Sequence, residues 1–306
     1  MSTKIMLTGA TGFVGNELTK LRNDFLCVVR FAEKHALKNI YTVPSIDSYT
    51  EWSDCFHGVD SVIHLAGLAH NKSFSEAEYR CVNTNGTLRL AKKAAEAGVR
   101  RFVFVSSIGV NGTSTVGAPF TPHSKENPHN LYAQSKYHAE LGLKKISEDT
   151  GLEVVIVRPT LVYGANAPGN FGLLTNLVSK FSILPFGLAH NRRDFIAVQN
   201  LVDLLISCAT HPAAAGHTFL ASDGETVSTK HFTNAIAEGL GKKVIQLPIP
   251  VSFMRFVGKL VGKSTMIEQL YDDLEVDSSN IKEVLDWTPP LTMKQAMDTL
   301  RDFREK

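Results

Sequence analysis

At 306 residues the chain is long enough for one large domain or two coupled ones, and 43% hydrophobic with 20% charged residues is the balance of an ordinary soluble globular protein. A formal net charge of +2 carries no footprint of a nucleic-acid binder, and no apolar run approaches the ~20 residues of a bilayer-spanning helix, so no membrane insertion is expected. Cys27, Cys55, Cys81 and Cys208 stand isolated, without CxxC or metal-ligand spacing. Together with an N-terminus that lacks a signal-peptide core, this reads as a cytoplasmic protein with reduced thiols and no metal centre.

Lys4-Ile-Met-Leu-Thr8 predicts a short buried strand, followed by Gly9-Ala-Thr-Gly12-Phe13-Val14-Gly15 and a helix to about Leu21. Strand, glycine turn and helix in that order are the context in which a glycine pattern signals a dinucleotide site. Gly9 permits the tight turn, Gly12 lets backbone approach a pyrophosphate, and Gly15 lets the helix pack on the sheet. The helix N-terminus, at Phe13 and Val14, presents N–H groups and a positive dipole to the phosphates. Phe25 to Val29 predicts the second strand, whose end meets the adenosine ribose. Sites for NAD usually carry an acid there, about 20 residues past the first glycine. Arg30 occupies the position here. It suits a 2′-phosphate, or it is a solvent-facing cation at a strand end, so NAD and NADP(H) both stay open.

Tyr41 to Ile46 predicts a third short strand, with Ile46 a candidate to pack on adenine. Ser61 to Gly67 reads as a strand running into small residues, so that backbone at Leu65, Ala66 and Gly67 can lie close to a cofactor. Glu76 to Ala97 predicts a long amphipathic helix interrupted by Gly86 and closed at Gly98. Within it Asn83 is either solvated or braces the adjacent strand or the next helix. Arg101 to Ser107 predicts the fifth strand, ending in two hydroxyls where open parallel sheets place ligands. Ser107 is suited to donate a hydrogen bond to a substrate oxygen. It lacks a G-x-S-x-G elbow and an evident base, which argues against a serine nucleophile.

Gly109 to Pro128 is a Gly-, Thr- and Pro-rich loop, long enough to be functional. In the helix that begins at Asn130 and runs to near Glu148, Tyr132 and Lys136 stand one turn apart on one face. An ammonium beside a phenol lowers its pKa from about 10 towards working pH, which would make Tyr132 a usable proton donor and acceptor. Glu153 to Pro159 predicts the sixth strand. From Ala165 to Gly172 the chain is rich in Gly, Asn and Pro and reads as a segment leaving the sheet to cover a ligand. Asp194 to Val198, a helix over Leu201 to Thr210 and a strand over His217 to Ala221 are expected to return to the first domain.

From Asp223 onward the chain is mostly helical. Val251 to Lys263 is amphipathic and basic, and reads as a lid helix with a solvated cationic face or as a membrane-contacting one. The expected division is a dinucleotide-binding domain, 1–165 with 194–222, and a substrate lobe, 166–193 with 223–306. The fold class is α/β: a Rossmann-type doubly wound parallel sheet with a smaller, mostly helical C-terminal lobe.

Gly9-x-x-Gly12-x-x-Gly15, Ser107 and Tyr132-x-x-x-Lys136 fall in order with His64-Leu-Ala-Gly67, Val82-Asn83, Arg158-Pro159, Val162-Tyr-Gly164 and Leu285-Asp-Trp-Thr-Pro289. This constellation closely resembles the extended short-chain dehydrogenase/reductase family, in its nucleotide-sugar epimerase/dehydratase branch, over nearly the whole chain. The resemblance implies that Tyr132 is the general acid/base and that Lys136 lowers its pKa and binds the nicotinamide ribose. Ser107 would hold the reacting sugar oxygen, and Pro159 would lie near the nicotinamide. Asn170 would begin the clamp on the nucleotide-sugar, and Arg193 would hold the UDP diphosphate, a task suited to guanidinium. The implied cofactor is NAD or NADP and the implied partner a UDP-sugar. Relatives often dimerise through the long helix and the Tyr–Lys helix, which leaves a homodimer open.

Some positions depart from the family pattern. Ile108-Gly109 stand where dehydratases carry Asp-Glu, so the acid and base of an elimination are missing. Val110-Asn111-Gly112 replaces the Val-Tyr-Gly of many epimerases, and the second diphosphate arginine has no counterpart around Tyr271 to Ser279. The combination Val-Asn-Gly, Gly-Asn-Phe, Asn-Arg-Arg and Glu-Val-Asp-Ser-Ser looks most like bacterial reductases that turn UDP-4-keto-6-deoxy-N-acetylglucosamine into UDP-N-acetylquinovosamine for surface polysaccharide. The expected function is therefore NAD(P)-dependent hydride transfer at C4 of a UDP-sugar by a reductase. A 4-epimerase is the alternative, and a non-catalytic NAD(P)H-sensing protein the remote one.

Overall fold

The computed structural model describes residues 4–302 apart from 32, 34 and 70–73. The first three residues, which the sequence reading runs directly into the opening strand, lie outside the described residues. Ile5–Thr8 (β1), Leu26–Arg30 (β2), Ile40–Val43 (β3), Ser61–His64 (β4), Arg101–Val105 (β5) and Glu153–Pro159 (β6) belong to one parallel sheet. Among the described residues, short strands also stand outside it, including Leu161–Tyr163 (β7), Ile183–Leu184 (β8) and Phe195–Ala197 (β9). Thr218–Ala221 (β10) then rejoins the sheet beside β6, giving seven strands in the order β10-β6-β5-β4-β1-β2-β3. Near-continuous apolar runs such as Ile5-Met-Leu and Phe102-Val-Phe are what a parallel sheet covered on both faces requires. Strand order reverses between β4 and β2, on either side of β1. That reversal opens the crevice at the strand carboxyl ends where ligands bind.

Side chains alternate along each strand, so the sheet faces two cores. Ile5, Leu7, Ile63, Val103 and Val155 point towards helices Phe13–Leu21 (α1) and Val198–Thr210 (α6), packing on Leu18, Leu201 and Leu205. Met6, Val28, Val62, Phe102 and Phe104 face the opposite way, onto Leu90 and Ala94 of Thr87–Glu96 (α3) and onto Ala139 and Leu143 of Leu131–Thr150 (α4). The Asn130 side chain caps α4 by accepting from Ala133 N–H, and Gly151, with φ +77°, ends it.

The helix predicted over Glu76 to Ala97 exists as three joined pieces. A short α-turn, Glu76–Tyr79 (α2), opens with a Ser75–Glu78 capping box. A π-helical stretch over Arg80–Gly86 follows, and α3 completes the rod. The widened turn ends at Gly86, where a Cβ would sit 2.9 Å from the Ile46 carbonyl oxygen.

A further core belongs to the C-terminal lobe. Gly169–Lys180 (α5), Thr229–Gly239 (α7), Val251–Leu260 (α8), Ser264–Tyr271 (α9) and Met293–Asp302 (α11) surround Tyr163, Phe171, Phe186 and a stacked Phe195–Phe232 pair whose ring centroids are 3.8 Å apart. The segment Asp194 to Val198 lies between the two cores: its β9 pairs with β7, which belongs to the stretch expected in the first domain, outside the main sheet. Its Ile196 faces the sheet core while Phe195 and Ala197 face the lobe. Ser279–Leu285 (α10) was assigned to the lobe, yet Ile281, Leu285 and Trp287 complete the sheet core beside α6. The edge strand β10 and the end of α6 would otherwise expose apolar surface, and α10 covers them. No helix among the described residues is long and apolar enough to cross a membrane.

Candidate active site

The turn between β1 and α1 is built for close approach. Gly9 takes φ +74°, and a Cβ on it would lie 2.8 Å from Ala66 N. A Cβ on Gly15 would collide with the Gly9 carbonyl, so helix and turn can nest only without side chains there. Phe13 and Val14 turn their side chains into the apolar cores, which leaves their backbone, not their rings or methyls, facing the turn. A side-chain-free cradle at a helix N-terminus fits a dinucleotide diphosphate. Leu65 packs on the α1/α6 core and Ala66 on the opposite one, while Ile46 is buried with Val43 and Trp52. Pro159 closes β6 in register with Ala221, within the sheet.

Arg30 does not stand free. Its Nε lies 2.7 Å and its guanidinium nitrogen 2.6 Å from Glu33 Oε1. The other carboxylate oxygen of Glu33 accepts from the Thr11 hydroxyl, at 3.0 Å, inside the glycine turn. The end of β2 therefore leads into an acid tied to the glycine turn, with the Arg30 cation paired beside it. Sequence spacing pointed to Arg30 and missed Glu33. The available signal was a carboxylate only three residues further on.

Gly67, Asn83 and Lys136 meet at the next level of the crevice. A Cβ on Gly67 would stand 2.9 Å from Asn83 Oδ1 and 3.6 Å from Lys136 Nζ. Asn83 is fully buried in the π-helical stretch. Its Oδ1 accepts from Leu68 N–H at 2.7 Å, and its Nδ2 donates to Leu68 C=O and to Ser135 Oγ, each at 3.0 Å. It thus braces both the strand end after β4 and the helix α4. Below it, His64 lies between the hydroxyls of Thr8 and Thr87, at 2.7 and 2.9 Å. Burial depresses its pKa to about 3, so the ring is a neutral strut.

Tyr132 and Lys136 lie on one face of α4, as expected, but their ionisation differs from the sequence reading. Lys136 Nζ donates to the Val105 carbonyl at 2.9 Å and rides 4.7 Å from the Phe104 ring centroid. Its ammonium is directed at the end of β5, and burial lowers its pKa to about 8, partly opposed by Glu140. The Tyr132 phenol is raised to about 12 by burial and by Tyr79, whose ring meets it edge-on at 6.3 Å. The phenol is protonated at neutral pH in this state. A cation one turn away lowers a phenol only if it faces it, and here the ammonium faces backbone.

Ser107 follows β5, and its Oγ accepts from Gly109 N–H at 3.1 Å. Ile108, where an elimination would need an acid, is buried against Phe120, Leu220, Leu274 and Val276. Gly109 is packed so that a Cβ would stand 3.3 Å from Ser107 Oγ. Asn111 accepts from Arg158 at 3.0 Å; Arg158 in turn forms a two-pronged pair with Glu140, at 3.0 and 2.5 Å, and reaches Glu126 at 3.3 Å. Arg158 and Glu140 are each 1% exposed. This buried charge network under α4 was not legible in the sequence, because its members come from four separate segments.

The lobe carries two further candidates, of which Arg193 is linked to the Ser107 turn. Arg193 bridges Val227 and Leu274, and its guanidinium donates to the Asp272 carbonyl at 2.8 Å. Burial lowers its pKa to about 10, so it remains a cation at neutral pH. Leu274 shares the apolar cluster with Ile108, which links the Ser107 turn to the Arg193 segment. Arg192 points outward to Glu275 at 2.7 Å. Asn170, in the first turn of α5, is exposed and donates to Gln269 of α9 at 3.1 Å.

The chain is 42% identical to a UDP-glucose 4-epimerase of Vibrio cholerae over 96% of this chain and 93% of that protein. It is 23% identical to the N-acetyl-alpha-D-glucosaminyl-diphospho-ditrans,octacis-undecaprenol 4-epimerase of Escherichia coli O157:H7, over 97% and 94%. Its fold matches the UDP-N-acetylglucosamine 4-epimerase structure from Bacillus cereus with a TM-score of 0.79 at 19% identity, covering 100% of both chains. Residues 5–221 match the NAD dependent epimerase/dehydratase family. The chain therefore belongs to that family, as an NAD-dependent enzyme of the extended short-chain dehydrogenase/reductase type.

Proposed function

We propose that the protein is a 4-epimerase of a UDP-hexose or UDP-N-acetylhexosamine. The observation that carries this reading over a reductase is Glu33. An exchanging, NADPH-consuming reductase was suggested by a free Arg30. The arginine is paired, and the carboxylate instead sits by the phosphate turn, where it suits a ribose 2′-hydroxyl and repels a 2′-phosphate. The high identity to the Vibrio cholerae epimerase supports the same choice. The glycine cradle, Gly67, Asn83 and Lys136 would hold the dinucleotide, which supplies reversible hydride acceptance at the sugar C4 carbon.

The chain's own residues do the rest. Ser107 would hold the C4 oxygen and Arg193 would grip the diphosphate while the sugar turns; Tyr132, protonated in the state described, would accept the C4 hydroxyl proton and later return it once the positive ring of a bound oxidised nicotinamide lowers its phenol. The burial of Ile108 and the lack of a side chain at Gly109 leave no acid or base for a 4,6-dehydration. A homodimer through α3 and α4 belongs to the same proposal, with Leu141 exposed on α4. A second reading, in which the diphosphate is carried by a polyprenol as in the name of the Escherichia coli relative, draws support from the exposed apolar side chains of α8.

The test is to denature the purified protein, assay the released dinucleotide, and follow UDP-glucose and UDP-N-acetylglucosamine without added cofactor. The expected result is near-stoichiometric NAD and formation of the C4 epimer. Tyr132→Phe should retain the dinucleotide and lose about 10²–10⁴-fold in kcat. Stoichiometric NAD(P)H consumption on a 4-keto-6-deoxy sugar, without epimer formation, would establish the reductase instead. Tight dinucleotide binding with no turnover would leave the sensor.

A further inference from the structure

Helix α8 exposes to solvent a face that a surface helix ordinarily hides. Its inward side is small: Val251 and Met254 reach the lobe core, and Gly258 lies so close to α9 that a Cβ would stand 2.6 Å from Ile267. Outward, Phe253 is 55% exposed, Phe256 58% and Leu260 70%, and their spacing of three and four residues puts them on one stripe. The stripe continues past the helix end into Val261, 61% exposed. Residues 251–263 contain Arg255, Lys259 and Lys263 and no acid. Arg255 is paired with Asp272 at 2.8 Å, whereas Lys259 and Lys263 are exposed and make no ion pair among the described residues. Just upstream, Ile183 and Ile245 are register partners in β8 and Ile245–Gln246 (β11), and both are exposed.

We infer that α8 is an in-plane membrane-docking helix. It lies flat on an anionic bilayer, with Phe253, Phe256 and Leu260 at the boundary between headgroups and acyl chains, and with Lys259 and Lys263 against the phosphates. An apolar stripe on a helix whose own charged residues are all cations is the composition of an interfacial helix, and ten residues are far too few to span a bilayer. Charge decides against a second copy of this chain as the occupant. A two-fold contact through this stripe would pool the cations of both copies in one interface with no acid in the segment to pair them. The surface lies outside the residues assigned to proton transfer and diphosphate binding, so vesicle docking is read separately from turnover of a soluble UDP-sugar.

The full-length protein should co-sediment with vesicles of phosphatidylcholine containing phosphatidylglycerol, and much less with phosphatidylcholine alone or at high salt. Replacing Phe253, Phe256 and Leu260 by Ser together should lower partitioning by more than tenfold while turnover of a soluble UDP-sugar and thermal stability stay unchanged. As a second variant that leaves the apolar stripe intact, Lys259→Gln with Lys263→Gln should lower binding to anionic vesicles by about fivefold per cation removed. Equal binding by the serine variant and the wild type would overturn the inference, as would no vesicle binding by the wild type. A wild-type dimer that the serine variant abolishes, without vesicle binding, would show a self-interface instead. Because these readouts do not involve catalysis, a failed epimerase assay and a failed docking assay are separate results.

Discussion

Lys136 is a cation held almost out of water by a carbonyl and an aromatic face, 3% exposed, with its pKa lowered to about 8. Unfolding restores the ordinary value near 10.5, so the unfolded chain binds more protons between those two values and stability rises with pH across that window. Below about 8 both states are protonated and the full cost of burying the charge is present. Replacing Lys136 by Met removes that dependence. The stability difference between Lys136→Met and wild type is therefore expected to shrink by about 2 kcal/mol between pH 7 and pH 9.5, as measured by urea unfolding with a refolding control. A constant difference over that range would mean that the lysine is not desolvated. The four-residue spacing made the pairing of Tyr132 and Lys136 legible in the sequence. The ionisation of the pair was not, because it depends on where Nζ points, and that is set by Val105 and Phe104, some thirty residues away.

At the scale of an element, the rod from Glu76 to Glu96 shows how local pattern and tertiary demand divide the work. Amphipathic spacing and the Ser75–Glu78 box announce a helix, and Gly86 announces an irregularity. The π-helical turn itself is specified from outside. Asn83 can satisfy Leu68 and Ser135 only if the helix widens enough to aim its amide between them, and those partners lie 15 and 52 residues away. Widened turns of this kind often occur at functional sites. Asn83→Leu leaves the part-buried Leu68 N–H and C=O without these partners and the Ser135 hydroxyl with only its bond to the Tyr132 carbonyl. It is expected to cost about 2–4 kcal/mol of unfolding free energy. It should also loosen dinucleotide retention, since Gly67 and Lys136 meet at this amide. A variant with unchanged urea midpoint and unchanged retention would contradict both points.

At the scale of the whole molecule, the sheet and the lobe meet at a polar node around Asp223. Tyr163, whose ring is in the lobe core, donates to Asp223 at 2.8 Å. The same carboxylate accepts from Asn200 of α6 at 2.7 Å and from Ala197 N–H at 3.1 Å, and Asn200 also bonds both backbone groups of Leu291. Asp223→Ala strands these donors together, and a loss of about 2–4 kcal/mol is expected, with lobe and sheet ceasing to unfold in one transition. Superimposable circular-dichroism and tryptophan-fluorescence curves for the variant would count against the node. The glycine pattern and the run of strands made the doubly wound sheet legible in advance. The allocation of chain to lobe or sheet was less so, because α10 and β9 are each apolar enough to serve either core and only packing chooses. Trp287 marks the outcome: it lies in the sheet core and donates to Asp203 of α6 at 2.6 Å, although residues 222–286, mostly lobe sequence, separate it from β10. The gene for the dinucleotide half is thus not a contiguous cassette. An expression fragment ending after β10 would discard its own last core side chains, and swapping lobes between relatives to change specificity would have to leave the segment around α10 with its parent sheet.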